Sequence, residues 1–381
     1  MNLIKKRILG LSVVLICLLV TIPLYYASSG KGNQQPTFFV GTMELGNNSE
    51  TQRNIDMLMD YCNLIVISNL EVIKNQSSLD YIVNYAFSRN LYFIIRMQYP
   101  TPMADFNYNP FVWQQTAQDK YGSHFLGFYI YDEPGGNQLE QGSFRQFDNN
   151  TMPSSYQDAT YTYVYNLYGQ MRDFVQTSKV FTSDFGLYWF DYEAGYDTVL
   201  TEFVWNQSRT QSIALCRGAA EMHNKTWGVT ITWKYDNPPY LEEGDQLYND
   251  LITAYNAGAS YVVLFNYPNV GVCGALTQDH LNALKNFKEY ISSHPQPNVP
   301  SYDRVAYVLP QNYGCGFGSP NDSIWGVWGS DNLTSSLFYQ MQNLTATYGN
   351  RLDIIYDSLW TRLFLQEHYN DTIWWNATAT Q

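Results

Sequence analysis

The chain has 381 residues, a net charge of −13 and only 14% charged residues, against roughly 25% in an average globular protein. Hydrophobic residues make up 45%, with 33 tyrosines and 10 tryptophans, so the chain buries a core and is not disordered. The acidic balance argues against nucleic acid, whose phosphates need a basic partner surface.

The N-terminus reads MNLIKKR, then an unbroken apolar run over 8–26, then ASSGKGNQQP. Basic residues ahead of an apolar run describe a secretory signal or an uncleaved anchor. The run is long for a signal and close to a bilayer span. Lys5, Lys6 and Arg7 stay cytoplasmic by the positive-inside rule, which exports the remainder. SGKGNQQP has no clear small-x-small cleavage site, and Ala27-Ser28-Ser29 is the alternative one, so the expectation is a retained membrane anchor, with residues 1–36 as signal or anchor and linker and the rest extracellular or at the cell surface. Asn-x-Ser/Thr sequons begin at Asn47, Asn75, Asn149, Asn206, Asn224, Asn321, Asn332, Asn343, Asn370 and Asn376. That is about twice the number composition gives by chance, which fits an exported glycoprotein.

Eight apolar, β-compatible runs follow: 38–45, 63–70, 91–99, 125–133, 179–186, 198–205, 227–235 and 260–268. Amphipathic stretches such as SSLDYIVNYAFSRN separate most of them. Continuous apolar strands are buried on both faces, as in a parallel sheet. Eight with mostly helical crossovers over 37–295 predict an α/β fold, a (β/α)8 TIM barrel. The crossover FDYEAGYD is too short for a full helix. A proline-spaced linker, SSHPQPNVPSYD, leads to a small α/β accessory domain over 301–381, where VAYVLP, SSLFYQMQNLTATYG, LDIIYDS and DTIWWN suggest β-α-β-β or βαβαβ. Its GCGFG (314–318) has the wrong spacing for a phosphate loop and reads as a tight turn.

Four cysteines lie outside the apolar run: Cys62, Cys216, Cys273 and Cys315. No CxxC or HExxH occurs, so no metal and no cofactor is expected. Cys62 and Cys216 fall on helix-like segments, where a small buried thiol is ordinary. Cys273 and Cys315 fall in turn-rich loops. Export favours a Cys273–Cys315 disulfide tying the second domain to the barrel rim.

The active site of such a barrel lies at the C-terminal strand ends. The residues there are Glu44, Ser68, Asn69, Arg96, Gln98, Asp132, Glu133, Asp184, Glu202, Trp205, Trp233, Tyr235, Asn266 and Tyr267. Carboxylates and amides hydrogen-bond hydroxyls, and aromatic faces cover pyranose C–H faces, so the inventory suits sugar. The most informative stretch is GFYIYDEPGG (127–136). Asp132 and Glu133 share one site only if strand alternation breaks between them. Pro134 removes a ladder donor and is expected to hold Glu133 extended; Gly135 and Gly136 let the chain turn away. Partial burial and a neighbouring Asp132 raise the Glu133 pKa and keep a proton available for a leaving glycosidic oxygen. The plainer alternative is an Asp-Glu turn capping the next segment.

An Asp-Glu pair ending strand four of a (β/α)8 barrel resembles the β-N-acetylhexosaminidases and related N-acetylgalactosaminidases. That resemblance implies Glu133 as general acid/base and Asp132 as the residue orienting the substrate's acetamido nucleophile. The Glu-Pro step is also similar to the Asn-Glu-Pro motif of retaining β-glycosidases, with Asp132 in place of Asn. Those enzymes place a nucleophilic Glu at the end of strand seven, where WGVTITWKYDN has only Asp236; Glu202, one strand earlier, is the substitute. The reading is an extracellular glycoside hydrolase, with Glu44, Arg96, Glu202, Trp233, Tyr235, Asn266 and Tyr267 contacting carbohydrate. The alternative is a non-catalytic glycan-binding or cell-envelope surface protein.

Overall fold

The computed structural model describes residues 36–97, 103–142, 144 and 152–376. The anchor expected over 8–26, Gln98 and the sequon at Asn149 lie outside the described residues. Among those described, no helix is long and apolar enough to cross a membrane.

Eight parallel strands close into a barrel: β1 (Phe39–Glu44), β2 (Leu64–Ile67), β3 (Tyr92–Met97), β4 (Phe125–Ile130), β5 (Val180–Asp184), β6 (Thr198–Phe203), β7 (Thr226–Ile231) and β8 (Tyr261–Asn266). The helices are α1 (Asn48–Leu58), α2 (Leu70–Lys74), α3 (Gln76–Ser88), α4 (Pro110–Tyr121), α5 (Pro134–Glu140), α6 (Tyr156–Val175), α7 (Tyr188–Glu193), α8 (Arg209–Met222), α9 (Gly244–Asn256) and α10 (Gln278–Ser293). The barrel expected from sequence is present, and its shortest late crossover is the six-residue α7.

Every strand but β7 feeds two cores. Phe39, Met43, Leu64, Val66, Tyr92, Ile94, Leu126, Tyr129, Phe181, Leu200, Tyr261 and Val263 fill the barrel interior. Phe39 stacks on Tyr261 at 5.0 Å and meets Tyr92 edge-on, so aromatic rings floor the N-terminal end. The opposite strand faces join the helices in a larger core. This interior set gives the phase of each strand: Tyr92, Ile94 and Arg96 share one face of β3, Phe181 and Ser183 one face of β5, and Leu200 and Glu202 one face of β6.

After Ser301–Asp303, β9 (Val305–Leu309), α11 (Asn332–Tyr348), β10 (Leu352–Tyr356), α12 (Leu359–His368) and β11 (Asp371–Trp374) form a βαβαβ unit with sheet order β10-β9-β11. Its core is continuous with the barrel's outer core, and the described residues from Phe38 onward form one compact unit. β10 lies against α8, where a Cβ on Gly218 would come within 2.6 Å of the Ile354 carbonyl. Beside it, Arg217 on α8 donates to Asp353 Oδ1 at 2.7 Å and to three carbonyls, of Ala257, Asn350 and Leu352. Asp353 Oδ2 faces Arg304 at 3.1 Å and accepts from Tyr369 at 2.9 Å.

The expected Cys273–Cys315 disulfide is not formed: all four described cysteines are free and buried. Cys273 sits in a tight bridge with Leu276, its thiol toward the Asn54 carbonyl on α1. Cys315 packs beside Tyr356 in the C-terminal unit, where burial pushes its thiol up to about 12. The glycine-rich loops that carry both residues look solvent-facing in sequence, yet they fold inward and place the two thiols in separate packing environments. Cys62 and Cys216 are buried, as expected of structural thiols.

Candidate active site

The end of β4 is shaped by three backbone departures. The β3–β4 register shifts between Phe93 and Ile94, opposite Gly127, whose φ is +140°. A Cβ there would meet the Lys179 carbonyl at 2.2 Å. The shift rephases β4 so that Tyr129 points into the barrel. Tyr131 and Glu133 then both adopt left-handed backbone, φ 59° and 52°. Glu133 is therefore not extended, as the following proline suggests. It stands as the N-cap of α5 without making a side-chain cap bond, which leaves its carboxyl for other work. Asn137 Nδ2 donates back to the Asp132 and Glu133 carbonyls.

Gly135 and Gly136 have a different role from the one sequence suggests. They form the first turn of α5, and their N–H groups donate to Asp184 at 2.5 and 2.8 Å. A Cβ on Gly135 would meet the Gly186 carbonyl at 2.5 Å, and one on Gly136 the Phe185 ring at 2.1 Å. The glycines thus permit close approach of α5 to the end of β5. Asp184 also accepts from the Phe185 and Gly186 N–H groups. Burial raises both Asp184 and its neighbour Asp191, the latter to about 8. Four backbone N–H donors on Asp184 oppose that rise by favouring its charged form. Asp184 is a strut under the turn between β4 and α5.

Above this support three carboxyls converge. Arg96, at the end of β3, donates to Asp132 Oδ2 at 2.5 Å and to Ser68 Oγ at 2.9 Å. Tyr129 Oη donates to Asp132 Oδ1 at 2.5 Å and lies 2.7 Å from Ser183 Oγ. Ser183 Oγ is 2.5 Å from Glu202 Oε1. The Glu202 and Glu133 carboxyls are themselves hydrogen-bonded. Asp132 is the open member, its side chain 43% exposed, whereas Glu202 is 4% exposed. Burial, then the Asp132 charge, raises the Glu133 pKa; burial, then Glu133 and Asp132, holds Glu202 well above the usual carboxylate range. Thr230, in register with Glu202 across β6–β7, has a buried hydroxyl with no partner among the described residues.

The aromatic candidates gather on the neighbouring arc. Trp233 after β7 meets Tyr267 edge-on at 4.9 Å, Tyr240 at 4.9 Å and Phe265 at 5.9 Å. Arg96 lies close enough to Tyr267 to influence its phenol electrostatically. Tyr235 is 39% exposed and makes no ring contact with this group among the described pairs.

Glu44 and Asn266 are not brought to the mouth. They occupy the outer faces of β1 and β8, one residue out of phase with interior Met43 and Phe265. Glu44 is buried and accepts from Thr42, Asn54 and Asn266 at 2.7–2.8 Å. Asn266 also accepts from the Ala275 N–H at 2.6 Å. Together they tie α1 and the loop after β8 to the barrel wall. Tyr129, Ser183 and Tyr240 are site residues that strand-end reading passes over. Tyr129 and Ser183 sit one or more residues inside their strands, and Tyr240 lies in a proline turn. An i, i+2 step forward from interior Phe181 reaches Ser183 once that face is known; Tyr129 and Tyr240 have no such signal.

Among the described residues, no group of three or more His, Cys, Asp or Glu side chains is placed to hold a metal ion. No family model and no curated protein matches the chain. Among solved structures, it is similar to a GH5_18 protein from Streptomyces cattleya, solved with GlcNAc, at 11% identity and TM-score 0.52, covering 90% of this chain and 99% of that one. It also overlaps an α-L-fucosidase isoenzyme 2 from Paenibacillus thiaminolyticus at 10% identity and TM-score 0.49, covering 85% and 59%. Thermotoga maritima Cel5A, solved with cellobiose, overlaps at 9% and 0.40, covering 65% and 97%. At these identities the first likeness establishes the fold, an eight-stranded parallel barrel of the kind found among glycoside hydrolases.

Proposed function

We propose that the chain is a retaining glycoside hydrolase, with Glu133 as general acid/base and Glu202 as the opposed nucleophile. The observation that carries this reading is the hydrogen-bonded contact between their carboxyls at the ends of β4 and β6. An inverting pair stands about 6.5–9.5 Å apart to house a water, and a retaining pair about 5–5.5 Å; carboxyls in contact are closer than either and leave no place for that water, which favours the retaining arrangement. Desolvation raises the Glu133 pKa and so favours its protonated form. Arg96 and Tyr129 occupy both Asp132 oxygens, which favours this two-carboxylate mechanism over one in which Asp132 orients a substrate acetamide. The Trp233, Tyr240 and Tyr267 rings offer apolar faces to a pyranose beside these polar groups.

The test is incubation of purified protein with a panel of neutral oligosaccharides and aryl glycosides, reading the first-formed anomer by proton NMR. Retention is expected. Inversion overturns the assignment of Glu202. Binding of a glycan without cleavage, also in a panel that includes N-acetylated sugars, supports the surface-binding alternative. Exported, anchored placement belongs to the same reading; a mature N-terminus near Ser28–Lys31, read by mass spectrometry, would refute retention of the anchor.

A further inference from the structure

Four consecutive contacts link the three site carboxyls: Asp132 to Tyr129, Tyr129 to Ser183, Ser183 to Glu202, and Glu202 to Glu133. Each contact needs one hydrogen between its two oxygens. Tyr129 and Ser183 have one hydroxyl hydrogen apiece, and the Ser183 N–H already donates to Tyr129 Oη at 3.0 Å without relieving the shortage. Two hydrogens are therefore missing, and only carboxyls can hold them. With a single carboxyl proton, one contact becomes two facing lone pairs in a buried site, which is costly. With two, all four contacts are made, whichever two of the three carboxyls are protonated. Rotation of the Ser183 and Tyr129 hydroxyls interconverts the patterns. Two protons on three carboxyls leave one negative charge, which Arg96 matches on Asp132.

We propose that Tyr129 and Ser183 form a proton relay between Glu202 and Asp132, and that the resting site holds two protons on its three carboxyls. The inference rests on the hydrolase reading for its purpose and on geometry for its existence. In the resting arrangement Asp132 is ionised against Arg96, while Glu202 and Glu133 carry the protons. Glu202 must lose its proton to attack an anomeric carbon. In the relay, the Glu202 proton moves to Ser183 Oγ, the Ser183 hydroxyl hydrogen moves to Tyr129 Oη, and the Tyr129 phenol hydrogen moves to Asp132 Oδ1. Both hydroxyls finish as they began. The negative charge has moved from Asp132 to Glu202, and Glu133 keeps the proton owed to the leaving oxygen. No solvent access to Glu202 is needed, which matters for a side chain 4% exposed. Tyr129 and Ser183 are positioning residues on this account.

The experiment counts protons in the free protein, independent of any substrate. Carboxyl 13C shifts of Asp- and Glu-labelled protein at neutral pH, assigned with Asp132→Asn, Glu133→Gln and Glu202→Gln, report which carboxyls are protonated. Wild type is expected to hold two. Ser183→Ala and Tyr129→Phe each remove one hydroxyl and two or more contacts; one carboxyl proton then satisfies what remains, so each variant is expected to hold one. Ser183→Thr restores the hydroxyl and the count of two. Tyr129→Phe keeps its volume in the barrel interior and serves if Ser183→Ala fails to fold. With a cleaved glycoside in hand, both variants are expected to lower kcat about 10²-fold with KM unchanged. One proton in wild type, or two in either variant, overturns the relay. Full kcat in both variants alongside an inactive Glu133→Gln overturns the relay and leaves the hydrolase reading standing. No cleavage by any form removes that reading, while the proton count still decides the relay.

Discussion

Glu133→Gln isolates proton donation from everything else at the site. The amide keeps the length and shape of the side chain, and its NH2 can still donate to Glu202. The left-handed backbone at position 133, the N-cap of α5 and the Asp184 strut involve no Glu133 side-chain atom, so the turn is retained. What disappears is one transferable proton, held on Glu133 by burial and by the Asp132 charge. General acid catalysis contributes about 10²–10⁴ in rate, equivalent to about 2.7–5.5 kcal/mol of barrier. The loss belongs to the upper part of that range for an alkyl leaving group, because Asp132 is committed to Arg96 and Glu202 is needed as the nucleophile. The assay compares kcat/KM for two glycosides of one sugar, one releasing an alcohol and one releasing nitrophenolate. The first should fall by about 10³ or more, the second by about tenfold or less, since nitrophenolate leaves without help. Equal losses on both would refute proton donation by Glu133 and point to a binding role.

Three further outcomes follow from the packing. Glu202→Gln should stabilise the fold: burial and the neighbouring carboxyls hold the folded pKa above the ordinary value of 4.5, so from about pH 4.5 upward the unfolded chain releases a proton that the folded site retains, and stability drains as pH rises. The gain in melting temperature should therefore be near zero at pH 4 and grow toward pH 8; a pH-independent difference refutes the burial argument. Arg217→Met strips a buried charge from Asp353 and leaves three carbonyls without their donor, so it should cost about 3–5 kcal/mol in denaturant melts that report loss of barrel and C-terminal unit together. Gly136→Ala would gain up to about 1 kcal/mol from helix propensity alone, but contact with Phe185 at 2.1 Å should make it destabilising by about 1–3 kcal/mol; a stabilised variant would show that α5 does not need its close approach to β5.

The barrel and the strand-four motif were legible because apolar runs, turn residues and adjacent carboxylates are local signals. The phase of each strand was not. In a parallel sheet both strand faces are apolar, so Glu44 at the end of β1 and Glu202 at the end of β6 look alike in sequence. In the fold one residue of phase separates them: Glu202 faces the lumen with Ser183, and Glu44 faces Asn54 on α1. The same ambiguity put Asn266 among the sugar contacts and hid Tyr129, whose inward aim depends on the register shift opposite Gly127. The expected disulfide failed for a related reason. Glycine-rich loops read as exposed, but Asn266 draws the loop of Cys273 inward.

The distribution of backbone strain argues independently for where the work is done. On the N-terminal side of the barrel, the left-handed positions in the connections into β3, β4, β6, β7 and β8 are Asn90, Gly122, Gly195, Asn224 and Gly258. Those residue types adopt that conformation at little or no cost. On the C-terminal side, after β4, β5, β6 and β7, the same conformation is imposed on Tyr131, Glu133, Leu187, Trp205 and Tyr240. Each such residue costs on the order of 1–3 kcal/mol and persists only where surrounding structure over-determines it. Asparagine or glycine would relax every one of these positions; under the proposed function Glu133 is kept for its carboxyl and Tyr240 for its ring, whereas Leu187 is a buried packing residue. At Glu133 the strained backbone and the raised pKa fall on one residue. That backbone continues the departure begun at Tyr131, and the carboxyl it carries meets Glu202. The proposed chemistry accounts for strain at Glu133, while the opposite face meets the same backbone demand with asparagine and glycine.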